Sequence, residues 1–135
     1  MANTKALVAE FIGTFFLCFA GIAAILSNTP AVGGGLGIIG IALAHGLALS
    51  VAVSAFGGVS GAHFNPAVTI GMLTTGRIRI PAALGYVVTQ LLAATVAAFA
   101  CKMIFPPEAT AAANLGIPLP AAWACLLYTS DAADE

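Results

Sequence analysis

A chain of 135 residues with 61% hydrophobic and 7% charged residues, and a mean hydropathy of +1.07, lies far from soluble globular proteins, in which about 25% of residues are charged. This composition predicts a polytopic membrane protein. A net charge of -1 with four basic residues leaves no basic surface for nucleic acid and no polybasic run for anionic lipid.

The apolar run from Lys5 to Ser27 is long enough to cross a hydrocarbon core of roughly 30 Å. It carries Glu10 and lacks a small-residue cleavage site after a short apolar core of about 7 to 15 residues, so it reads as a first span (5–27) rather than a signal peptide. Asn28-Thr29-Pro30 closes it, and Gly33-Gly34-Gly35 makes a flexible connection. A second span runs over 36–56, interrupted by His45, and the glycine-rich stretch from Gly57 to Ala62 is predicted to end it.

Asn65-Pro66 then reads as a helix N-cap and first helical residue. Asn accepts a hydrogen bond from an orphan N–H, and Pro has no N–H to leave unsatisfied. The segment from Pro66 to Gly76, at 1.5 Å per residue, covers roughly half the bilayer core. It is therefore predicted to be a re-entrant half-helix, with the loop and half-helix occupying 57–76. A helix start inside a bilayer is tolerated only beside protein or water. If the Asn65 carboxamide oxygen caps that start, its NH₂ and the positive end of the helix dipole point outward together, a pairing that suits water and repels cations.

Arg77 and Arg79 supply a charged turn, Pro81 suits a new helix start, and a third span runs over 81–105. Pro106, Pro107, Pro118 and Pro120 mark the next stretch as loop. From Ala121 to Leu127 a fourth span begins and is cut short, and residues 126–135, abruptly polar and acidic, read as a non-native tail. Lys5, Arg77 and Arg79 share one side, with Lys102 at the far end of the third span, which predicts a cytoplasmic N-terminus. Cys18, Cys101 and Cys125 are isolated and odd in number, so packing is expected rather than a disulfide framework or metal cluster. Gly13 with Gly21, and Ala93 with Ala97, form small-residue faces suited to close helix packing.

Three patterns together resemble the aquaporin (major intrinsic protein) family. They are Ala9-Glu10-Phe11-Ile12-Gly13-Thr14, Ser60-Gly61-Ala62-His63-Phe64-Asn65-Pro66-Ala67-Val68-Thr69, and Gly85-Tyr86 with Gln90. The resemblance covers residues 4 to 125. It implies an all-α transmembrane fold in which three spans and one half-helix form one repeat of an inverted pair. The second Asn-Pro-Ala loop, its arginine and the later spans are missing from this sequence, so residues 1–125 are expected to be the N-terminal half of a channel domain.

The resemblance also implies a passive water channel in a multi-pass protein of the plasma (inner) membrane, a homotetramer when full-length, with no cofactor, no metal and no enzymatic activity. The alternative within the family is a glycerol, urea or ammonia facilitator. Asn65, Pro66 and Ala67 are expected at the pore centre. The carbonyls of Gly61, Ala62 and His63 are expected to form an acceptor ladder along an extended segment leading to Asn65, with the glycines permitting that conformation. Glu10 is an ionisable group within a span and is expected to brace the loop through its backbone. Thr14 and Gln90 are read as further structural support. His45 matches a filter position at which many family members place Phe and glycerol facilitators tend to place Trp. A His there is similar to the plant tonoplast group, whose filter is wider and more polar. A membrane enzyme built on Glu10, His45 and His63 lacks metal-ligand spacing and a paired nucleophile and base.

Overall fold

A computed structural model describes residues 3–117, whose regular elements are all helices, with no strand among them. The long helices are α1 (Thr4–Ser27), α2 (Gly37–Ser60) and α4 (Ile80–Ile104), and each is long and apolar enough to cross a membrane. At 24, 24 and 25 residues they rise about 36 Å at 1.5 Å per residue, more than a hydrocarbon core requires. Between α2 and α4 lies α3 (Pro66–Thr74), nine residues long, which rises only about 14 Å. A short α5 (Pro107–Ala112) follows α4.

The helix α1 is the centre of the bundle, packed against α2 on one side and α4 on the other, while α3 rests on α4. Its inward faces are built from small residues: Ala6, Ala9, Gly13, Gly21 and Ala24 on α1, Ala48 and Ala52 on α2, Ala83, Ala93 and Ala97 on α4. Lipid tails are as apolar as leucine, so burying large aliphatic groups between helices gains little. Close backbone approach through small residues gains dispersion contacts instead. The large apolar side chains accordingly face outward, as with Ile38 at 83% and Leu47 at 63% exposed.

Several local expectations change. The second span does not end at Phe56: α2 continues helically through Gly57 and Gly58 to Ser60 and closes on Gly61, whose positive φ of 87° makes it the left-handed cap, with its N–H bonded to Gly57 O at 3.0 Å. A helical path keeps these backbone groups paired where water is scarce, which outweighs the low helix propensity of glycine. The proline-marked stretch after α4 is not all loop, because Pro107 starts α5 at a position where its missing N–H costs nothing. The connection after α1 is stapled as well as flexible, since Asn28 Oδ1 accepts from Gly37 N at 2.8 Å. The fourth-span start at Ala121 to Leu127 and the tail at 126–135 lie outside the described residues.

Candidate functional site

Asn65 caps α3 from an extended conformation (φ -152°, ψ 129°), and its Oδ1 accepts from Ala67 N at 2.8 Å. Pro66 occupies the first helical position. With the oxygen committed to the cap, the Nδ2 group is the free end of the side chain. It makes no hydrogen bond among the described residues, and Asn65 is exposed. The half-helix thus begins at an amide with a free donor beside the positive end of its dipole.

Glu10 fastens the segment leading to that tip. It is completely buried on α1, and its two oxygens accept four hydrogen bonds. Oε1 takes Ser60 Oγ at 2.6 Å and His63 N at 2.9 Å, while Oε2 takes Phe64 N at 2.7 Å and Gln90 Nε2 at 2.8 Å. Ala62 N is held in turn by Ser60 Oγ at 3.0 Å. Three consecutive N–H groups are therefore engaged on the α1 side. The carbonyls of Gly61, Ala62 and His63 accept no hydrogen bond among the described residues, so three acceptors precede the Asn65 donor.

The backbone reaches this arrangement by turning rather than by extending. Gly61, Ala62 and Phe64 all have positive φ, at 87°, 52° and 49°. For Ala62 and Phe64 this costs about 1 to 2 kcal/mol each, and the expected extended segment is corrected to a turned one in which Gly61 is joined by two residues that carry a Cβ. Hydrogen bonds to a buried carboxylate, about 1.5 to 3 kcal/mol each, are sufficient to hold it. The Phe64 ring, 2% exposed, adds to this hold. It packs where a Cβ on Gly13 of α1 would overlap it, and it meets Phe56 edge-on at 6.4 Å.

A second set of bonds ties α3 to α4. Gln90 Nε2 also donates to Thr69 Oγ1 at 3.0 Å, Thr69 Oγ1 donates to Asn65 O at 3.2 Å, and His63 Nδ1 lies 3.1 Å from the same hydroxyl. Tyr86 donates to the Ser60 carbonyl at 2.8 Å and stacks edge-on against His63 at 5.2 Å. Ser60, Phe64, Thr69 and Tyr86 were not assigned site roles from sequence. The signal available for Phe64 was the bare Gly13 in the facing span.

Two predicted site residues stand apart from this network. Thr14 is buried at 2%, but its hydroxyl finds no partner among the described residues and makes no bond to the loop. His45 is half-buried on α2, with Nδ1 2.9 Å from the Ile41 carbonyl oxygen and its ring against Gly21. Among the described residues no three His, Cys, Asp or Glu side chains cluster in a way that would hold a metal.

A broken helix pinned by a buried carboxylate agrees with the sequence comparisons. The sequence model described as "Major intrinsic protein" matches residues 1–124. The chain belongs to the major intrinsic protein family. It is 43% identical over 109 residues to "Glycerol uptake facilitator protein-like 6" of Lactiplantibacillus plantarum, a match covering 81% of this chain and 48% of that protein. It is 42% identical over 106 residues to "Probable aquaporin TIP2-1" of Oryza sativa subsp. japonica, covering 76% and 43%. It is 43% identical over 98 residues to "Aquaporin Z" of Rhodopseudomonas palustris, covering 71% and 40%. This major intrinsic protein chain thus spans less than half the length of these relatives. Its three apolar helices and its family make it an integral membrane protein.

Proposed function

We propose that this chain supplies the first half of a passive water channel, and that water is handed along the Gly61, Ala62 and His63 carbonyls to the Asn65 amide. The observation that carries this reading is the division of labour in one side chain: Oδ1 caps α3 and Nδ2 is left unpaired at its tip. A water molecule there receives a donor, and the same positive helix end opposes a proton or metal cation. Passage of a small neutral molecule, rather than a reaction on it, is the use that a lone donor at a helix tip suits. The names of the relatives, which include aquaporins and a glycerol uptake facilitator, support this class.

Small neutral solutes are the second reading. His45 packs its ring against Gly21 of α1, and a polar imidazole at that position supports urea and ammonia as permeants beside water. The full-length protein is proposed to assemble as a homotetramer in the plasma membrane. Lys5, Arg77 and Arg79 lie at one end of the helices and Lys102 at the other, a bias that supports a cytoplasmic N-terminus.

Stopped-flow shrinkage of liposomes carrying the full-length protein tests the proposal, together with uptake of labelled glycerol and methylammonium by the same vesicles. Water flux well above empty liposomes is expected. Water flux at the empty-liposome level contradicts the channel, and background methylammonium uptake removes the ammonia reading.

A further inference from the structure

We propose that Gly21 of α1 is a selectivity-determining position, because it holds the His45 imidazole back from the passage. The inference rests on the channel reading and adds to it a residue that touches no permeant.

The helix α2 turns one stripe toward α1. Ala48 and Ala52, both buried, follow His45 by three and seven residues, a spacing that puts all three on one helical face. Two methyl groups in that row let the backbones approach closely. An imidazole in the same row fits only opposite a residue without a side chain, and Gly21 is that residue. A Cβ there would overlap His45 Nε2 and would lie 2.8 Å from Cδ2 and 3.0 Å from Cε1. The other edge of the ring is fixed as well, with Nδ1 2.9 Å from Ile41 O. A carbonyl only accepts, so Nδ1 carries the proton of this bond and the Nε2 edge is laid on α1.

Gly13 and Gly21 do the same kind of work at two levels. The first makes room for Phe64 beside the Asn65 tip and the second for His45. Eight residues separate them, about 12 Å along the axis, so the His45 level is distinct from the tip and lies outward of it. A methyl at Gly21 displaces the ring from α1 and moves it toward the open side of α2, where His45 is already half-exposed. Wider permeants then lose more than water does.

The test is a cycle in the full-length protein, comparing wild type, Gly21→Ala, His45→Ala and Gly21→Ala/His45→Ala in liposomes, with urea and water permeabilities measured on the same vesicles. Gly21→Ala is expected to lower the urea-to-water ratio about tenfold, in line with what one added methyl does in a fitted site. In the His45→Ala background the same substitution is expected to leave the ratio unchanged. A ratio unaffected by Gly21→Ala, or lowered equally in both backgrounds, overturns the inference, the latter indicating plain α1–α2 packing. Wild-type liposomes that pass no water would instead overturn the channel reading itself. Because Gly21→Ala is also exposed to misfolding, ¹⁵N NMR of the wild-type imidazole supplies an independent check. A proton on Nδ1 is expected, and a ring protonated at Nε2 alone contradicts the geometry.

Discussion

Four donors converge on the two oxygens of Glu10, from Ser60, His63, Phe64 and Gln90, and a carboxylate is the only side chain of that size with acceptor sites for all of them. Glu10→Gln replaces one oxygen by a donor, so either the Ser60 and His63 pair or the Phe64 and Gln90 pair meets an NH₂ group. A buried backbone N–H is left unsatisfied in both cases, at about 1 to 3 kcal/mol. Ser60→Ala leaves Oε1 paired with His63 but loses two hydrogen bonds, the one to Oε1 and the one from the half-buried Ala62 N–H, at about 1 to 2 kcal/mol together, while both Glu10 oxygens stay acceptors. Thermal unfolding of the purified full-length protein is expected to rank Glu10→Gln below Ser60→Ala, and equal midpoints would contradict the bracing role. The contact partners of Glu10 were readable only in outline. An ionisable group inside a span signals a buried polar partner, but the identity of Gln90, 80 residues away, depends on how α1 and α4 pack.

The half-helix α3 has nine residues, too few to be stable alone, since isolated helices below about 12 to 15 residues are marginal in water. It is held by its cap, by Thr69 and by the Phe64 ring seated over Gly13. Gly13→Ala overlaps that ring and is expected to destabilise the loop by about 1 to 3 kcal/mol, as overpacking does. Gly13→Ala/Phe64→Leu is expected to recover part of the loss in the same unfolding measurement; additive losses would mean that the two positions do not touch. This element was legible because its signals are local: Asn before Pro, and a run too short to span. The positive φ angles of Ala62 and Phe64 were not, because bonds to Glu10 from 53 and 54 residues away impose them. The helical Gly57 and Gly58 were missed for a similar reason. Propensity argues for a break, whereas an apolar surround penalises unpaired backbone.

For the whole molecule, three spans and one half-helix leave α2 with little of its length covered, and this chain corresponds to less than half of each relative described. One wall of a passage is not a passage. Liposomes carrying residues 1–135 alone are therefore expected to shrink at the rate of empty vesicles in stopped flow, and a rate matching the full-length protein would show that the chain closes a pore by itself. The architecture was readable from hydropathy and from the re-entrant motif, while the selectivity of the outer level was not. Its proposed basis is the meeting of Gly21 and His45, a contact between helices that no spacing within either one reveals.

The central claim is that α3 ends inside the membrane with an amide donor facing water, and Asn65→Asp in the full-length protein tests it most directly. Asp retains the oxygen that caps Ala67 N and suits the positive helix end, so the fold is kept while the donor is lost. Losing one hydrogen bond of about 1 to 1.4 kcal/mol at the half-helix tip corresponds to about a five- to tenfold fall in water permeability by stopped flow, accompanied by a cation leak. Water permeability equal to wild type at equal protein content, with vesicles still tight to cations, would contradict the account.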